Sequence, residues 1–215
     1  SFYILYSVFL LFILSVNLTR IFMLALGVGI LLFFSRNRWK RWFGCVAGVA
    51  VIFTIVFTGT HLIATRGQSL GWELLGFRLQ TVIQPQIEES SLSRMLILPK
   101  IWEKIKEHAI LGNGLGDTII VYSPTLQKKI STPHFDWGYL ELWDELGIMG
   151  IVMWGLLLGY VIRSFYLNKN ANSRYFITAL ASLIVINITS PAIFHVMGIV
   201  LITTYFTFIY KFNIN

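Results

Sequence analysis

The chain has 215 residues, of which 56% are hydrophobic and 13% charged, and its mean hydropathy is +0.71. A soluble domain carries about 25% charged residues. With 17 Phe, 9 Tyr and 7 Trp among so few charges, disordered, collagen-like and coiled-coil chains are excluded, and a single Cys excludes a disulfide framework and a Cys-rich zinc site. An integral membrane protein remains.

The placement of charge says more than its sum of +7. All ten acids lie between Glu73 and Glu145. Residues 61–145 hold eight bases beside them, a net charge of −2, while the rest of the chain carries nine bases and no acid. The pI of 9.6 therefore describes a membrane part with basic edges around a near-neutral polar insert, not a surface for nucleic acid.

Three apolar stretches come first in chain order: Phe2–Val16, Ile21–Phe34 and Phe43–Thr60. A spanning helix needs about 20 residues and at least about 17, so the short stretches must recruit their flanks. The insert, residues 61–147, then carries an expected amphipathic helix over Ser90–Glu107, with apolar residues at Leu92, Met95, Leu96, Leu98, Ile101, Trp102 and Ile105. Ser90 or Ser91 is its expected cap, and Pro99 is expected to kink or restart it. Lys100, Glu103, Lys104, Lys106 and Glu107 read as a solvated face, and the helix suits either a membrane surface or a bundle. The run LGNGLGD is expected to be a flexible turn; its G-x-G-x-G spacing is not a dinucleotide fingerprint. A second helix is expected from Pro133, capped by Thr132, to Leu146, stopping at Gly147. Three further apolar stretches follow: Ile148–Ile162, Tyr175–Thr189 and Ala192–Tyr210. Ser190-Pro191 divides the last two, with one kinked helix as the alternative.

The expected fold is an all-α integral membrane protein: a multi-span helical bundle with a partly helical extracytoplasmic loop. Residues 1–60 supply three transmembrane helices, 61–147 the loop, and 148–215 three more helices. Lys and Arg set the orientation. Arg36, Arg38, Lys40, Arg41, Arg163, Lys169, Arg174 and Lys211 all fall on one side of a six-span arrangement, and Arg20 stands alone in the opposite short connections. Both ends are then cytoplasmic and the insert faces out. The chain begins at Ser1 without the basic lead-in of a signal peptide, so a longer protein with earlier spans is expected.

Three residues are candidates for chemistry. Arg20 stands alone between two apolar stretches; it is either a snorkelling helix-end residue or an anion clamp at the outer face, where a guanidinium offers two parallel donors to a phosphate. His134, in TPHFDWGYLELWDELG, can act as a general base near neutral pH or simply cap or pack. Asp136, Glu141, Asp144 and Glu145 either orient its ring or suit a helix N-terminus; Glu141 and Glu145 also fit a solvated face. Arg94, in SLSRMLILPKIW, reads alone as an ordinary surface residue. His61, His108 and His195 have weaker cases, no metal is expected, and Cys45 reads as packing. The sequons at Asn17 and Asn187 abut membrane helices and are discounted.

Three of these segments, in this order, resemble the O-antigen ligase / O-antigen polymerase family of bacterial envelope proteins. They are NLTRIFMLALGVGILLFF, SRMLILPKIWEKIKEHAILGNGLGD and TPHFDWGYLELWDELGIMG, and the resemblance covers roughly residues 15–165. The family has more spans, so the resemblance makes this chain its C-terminal half. Two positions depart from the family pattern: Phe135 stands where Asn commonly follows the His, and Glu107-His108-Ala109 stand where Pro often precedes the Gly-rich turn. The resemblance implies a metal-independent glycosyltransferase, polymerase or ligase, needing no cofactor, in the bacterial cytoplasmic membrane. Its donor would be a polyprenyl-diphosphate-linked glycan and its acceptor a glycan, lipid or protein. Arg20 and Arg94 would bind the diphosphate and His134 would take the acceptor proton. The alternatives are a membrane solute transporter, against which the acid-free apolar stretches argue, and a non-catalytic membrane assembly protein.

Overall fold

Helices dominate, as unbroken apolar runs require. In lipid every backbone N–H and C=O must find its partner inside the chain, and a helix does this locally. The computed structural model describes residues 2–17, 19–34, 38–84, 87–123, 128–132, 136–167 and 173–213. It has two compact units, Ser1–Ile87 and Glu88–Asn215.

The first unit holds α1 (Phe2–Asn17), α2 (Arg20–Leu32), α3 (Trp39–Ala64) and α4 (Trp72–Ile83). α1 packs along α3. The Trp42 indole, in the first turn of α3, donates to the Ile30 carbonyl at 2.9 Å, a second bond to a carbonyl in the last turn of α2 that also accepts the Phe33 N–H at 3.2 Å. α3 closes on Thr65, whose hydroxyl donates to the His61 carbonyl at 2.7 Å and accepts from the Ser69 N–H at 3.1 Å. Gly71 then starts α4 with φ +80°, beside the His61 ring, where any side chain would collide. α4 is an element that the sequence reading assigned to loop. Its Trp72 meets α3, edge-on to the buried Phe57 at 6.0 Å.

The second unit holds α5 (Glu89–Glu107), a hairpin of β1 (Ile119–Ser123) and β2 (Lys128–Thr132), α6 (Gly138–Leu167), α7 (Ser173–Ile186) and α8 (Val196–Asn213). α5 matches its expected limits and runs unbroken through Pro99 instead of restarting there. Its cap differs: Glu88 occupies the position, and the Ser91 hydroxyl donates to the Glu88 carboxylate at 2.9 Å. Ile97, Ile101 and Ile105 form one buried stripe, packed with Ile119, Trp137, Leu140 and Trp143. The hairpin is antiparallel, with Ile119 opposite Thr132. Thr132 therefore pairs in a strand and is not the cap of a helix at Pro133; α6 begins at Gly138. Within α6 the backbone leaves the helix at Gly147 (φ 66°, ψ −168°), where the short helix is expected to stop and the next span to begin, so Gly138–Leu167 is two helical segments joined at that break.

α7 and α8 are separate helices, divided by the turn that holds Ser190-Pro191. The buried Asn187 side chain accepts the Ile193 N–H at 3.0 Å inside that turn, so it is not a glycosylation acceptor. A second core joins α6, α7 and α8 through Val161, Phe165, Leu180, Ile193, Ile202 and Tyr205, with a hydrogen bond between the Ser164 and Tyr205 hydroxyls.

Two described helices are long and apolar enough to cross a membrane: Trp39–Ala64 and Gly138–Phe165. The other apolar helices, Ser7–Asn17, Arg20–Leu32, Arg174–Ile186 and Val196–Thr207, are shorter. Large apolar side chains such as Ile55, Ile63, Met153 and Leu156 project from the two long helices without protein cover. A core helix of a soluble protein would bury that surface, whereas lipid tolerates it.

Candidate active site

Arg20 opens α2. Thr19 precedes it in an extended conformation, with its hydroxyl turned to Asn17 instead of to the helix. One terminal nitrogen of Arg20, Nη1, donates to the Thr81 carbonyl at 2.8 Å and to the Thr81 hydroxyl at 3.2 Å. Thr81 is fully buried and lies in the last turn of α4. A cation there meets the exposed carbonyl end of a helix, where its charge is favoured. Arg20 thus ties α2 to α4 within the first unit.

Arg94 lies on α5 in the second unit. Its Nε donates to the Asp136 carboxylate at 3.3 Å, and the Trp137 indole donates to the Arg94 backbone carbonyl at 3.1 Å. Two contacts from consecutive residues therefore hold α5 against the segment that enters α6. Asp136 adopts a left-handed conformation (φ 55°), which Asp tolerates better than most residues. The third candidate, His134, lies outside the described residues with Pro133 and Phe135; it stands two positions before Asp136 in the chain. The structure therefore brings Arg94 to the residues that directly follow the His134 segment.

The acids behind this entry are not a solvated face. Glu141 is 1% exposed and Asp144 fully buried. Glu141 Oε1 lies 3.5 Å from His195 Nε2. Asp144 accepts the Asn113 side-chain amide at 2.8 Å through Oδ1, while its Oδ2 is buried without a hydrogen bond among the described residues. Glu145 accepts the Gly116 N–H at 2.8 Å. The partners of Asp144 and Glu145 come from the Gly-rich segment, which is bonded in place and is not a free turn. Asn113 and Gly114 donate their N–H groups to the Asp144 and Glu145 carbonyls, and the Ile148 and Met149 N–H groups donate to the Ala109 and Ile110 carbonyls. The loop thus satisfies both sides of the helix break at Gly147. No spacing within α6 signals this, because every partner in the loop stands far upstream, at residues 109 to 116; the glycines that permit it are visible in the sequence, their partners are not.

Lys104 of α5 fixes the far end of the same loop. Its ammonium donates to the Asp117 carboxylate and, at 2.6 Å, to the Thr118 carbonyl. Burial pushes the Asp117 carboxyl up, but the Lys104 hydrogen bond, the Thr118 N–H and the Lys104 charge outweigh it and hold the group below the usual aspartate range. Among the weaker candidates, the His61 ring bonds the Phe57 carbonyl at 3.0 Å and stacks on Phe57, a packing role, and Cys45 is exposed on α3.

Long, uncovered apolar helices joined to a polar, internally bonded segment define a helical membrane protein. The chain belongs to the O-antigen ligase family, whose model matches residues 5–155. That match takes in every element from α1 through the hairpin and the helix break at Gly147, and it places the chain in a family of glycan-transfer, ligase type. No curated protein and no solved structure matches the chain.

Proposed function

We propose that the protein transfers or polymerises a glycan from a polyprenyl-diphosphate donor at the outer face of the bacterial cytoplasmic membrane. In this reading six helices span the membrane, three before and three after residues 61–147, which face out. The observation that carries the proposal is the placement of Arg94 against Asp136 and Trp137, beside the His134 segment, within the family-matched residues.

The chemistry needs little else. The acceptor hydroxyl oxygen attacks the anomeric carbon, and His134 takes its proton. The bond from that carbon to the diphosphate oxygen breaks, and its electron pair leaves on the diphosphate. Arg20 and Arg94 stabilise this growing charge with guanidinium donors. The diphosphate is a good leaving group, so no general acid is required, and direct displacement inverts the anomeric centre. The acceptor is a second lipid-linked glycan for a polymerase, and a lipid or protein for a ligase.

Arg20→Ala, Arg94→Ala and His134→Ala are each expected to lower glycan formation at least about a hundredfold while the protein still inserts, the scale for loss of a transition-state charge partner or a general base. Glycan blots of membranes with matched protein levels measure this. Normal glycan from the His134→Ala protein rejects the base assignment.

The transporter reading draws on one observation, the burial of Glu141 and Asp144 on the same helix as a span. Both acids precede the break at Gly147 and are engaged by His195 and Asn113, which suits a structural role better than an ion path.

A further inference from the structure

The contacts around Arg94 assign a role to a residue outside the proposed chemistry, and this inference rests on the diphosphate-clamp reading above. We infer that Asp136 is a positioning residue: it holds the Arg94 guanidinium by Nε and so presents the remaining nitrogens to the donor diphosphate.

Three observations carry this. Asp136 engages Arg94 through Nε at 3.3 Å, and among the described residues Nη1 and Nη2 of Arg94 make no hydrogen bond. The Arg94 side chain is 29% exposed, so it is partly open to solvent and to an anion. The Arg94 backbone is fixed independently by the Trp137 indole at 3.1 Å, so Asp136 is needed for the direction of the side chain and not for the place of its Cα.

The physical logic concerns entropy. A free arginine side chain loses rotamer freedom when it grips a ligand, and that loss weakens binding. A carboxylate on Nε restricts those rotamers before the ligand arrives and leaves a donor edge for phosphate oxygens. The pair is half-exposed, with Asp136 at 54%, so it adds little to folding, and its value lies in orientation.

The left-handed backbone of Asp136 makes the test selective. Asp136→Gly keeps that conformation at no steric cost and deletes the carboxylate. Asp136→Asn keeps both the conformation and an acceptor oxygen. Full-length protein in detergent is titrated with polyprenyl diphosphate lacking a glycan, read by tryptophan fluorescence, alongside Arg94→Ala and with thermal melting of every variant.

Dissociation constants are expected to rise about tenfold or more in Arg94→Ala and Asp136→Gly, and to stay within about threefold in Asp136→Asn, with melting temperatures unchanged for the Asp136 variants. Wild-type binding by Asp136→Gly, with Arg94→Ala impaired, overturns the role of Asp136 and leaves the clamp standing. Equal impairment of Asp136→Gly and Asp136→Asn overturns it too, since the amide would not rescue. Wild-type binding by Arg94→Ala overturns the clamp itself, and this inference with it. Should Asp136→Gly melt early, Asp136→Ser, too short to reach Arg94, takes its place with the same two outcomes.

Discussion

At the scale of single residues, the sharpest constraints fall on two glycines that face each other across the α6 break. Gly147 has φ 66° with ψ −168°, a region open essentially to glycine alone, and a Cβ there would meet the Ile110 carbonyl. Gly112, at φ +79°, would drive its own Cβ into the Glu145 carbonyl. In both cases the obstacle is backbone held by the loop's own hydrogen bonds, so no side-chain rotation relieves it. Gly147→Ala and Gly112→Ala are each expected to destabilise the protein by about 3 kcal/mol or more, the sum of left-handed strain and overpacking. Gly155→Ala, with nothing near its Cβ and no positive φ, is the control and is expected to be neutral or slightly stabilising. Thermal unfolding of the three purified variants ranks them. A Gly147→Ala protein as stable as the Gly155→Ala one refutes the role given to the break.

At the scale of elements, α5 and the loop after it behave as one clamp on the first turns of α6. Lys104 anchors the loop's end through Asp117. The Asp117 carboxyl is held below its ordinary value, so its ionised form is favoured by folding. This stability is fully present above the unfolded pKa of about 4 and is lost as pH falls through the lower folded value. Wild type is therefore expected to melt higher than Asp117→Asn at neutral pH, with the gap closing below about pH 4. A gap that does not change with pH assigns the difference to packing instead. How much of this was legible follows from the range of each interaction. α5 was legible because its apolar residues, from Leu92 to Ile105, recur near helical spacing, a local signal, although Ile97 of the buried stripe is not among those the pattern picks out. The hairpin was not: β1 is β-branched, but its partner is the polar run KKIST, which carries no apolar alternation. α4 was hidden by its brevity and by Gly76 in its middle. The partners of Asp144 and Glu141 are Asn113 and His195, residues distant in sequence on either side, so spacing within the segment leaves Glu141 fitting a solvated face and Asp144 a helix N-terminus. Of the candidate site, the family of the region was legible in the sequence, while the contact of Arg94 with Asp136 became visible only once α5 and α6 were seen to pack together.

At the scale of the whole molecule, the remaining question is which side of the membrane each segment faces. Eight bases lie in connections that a six-span arrangement puts on one side, against Arg20 alone in the opposite short connections. Arg20 itself is bonded to Thr81, inside the protein's own polar structure, so it does not act as an orienting surface charge. That strengthens the asymmetry. Long loops follow the spans regardless of their charge, so the eight bases of residues 61–145 exert no contrary pull. Orientation is expected to place residue 106 outside and residue 39 inside. Cys45 is replaced by Ser, which leaves a background without thiols because it is the only cysteine. Lys106→Cys and Trp39→Cys are then introduced separately, both at exposed positions. A membrane-impermeant maleimide applied to intact spheroplasts is expected to label the Lys106→Cys protein, and to label the Trp39→Cys protein only after permeabilisation. The reverse pattern would put His134 and Arg94 in the cytoplasm, where a donor presented at the outer face cannot reach them, and the proposed reaction would fail along with the topology.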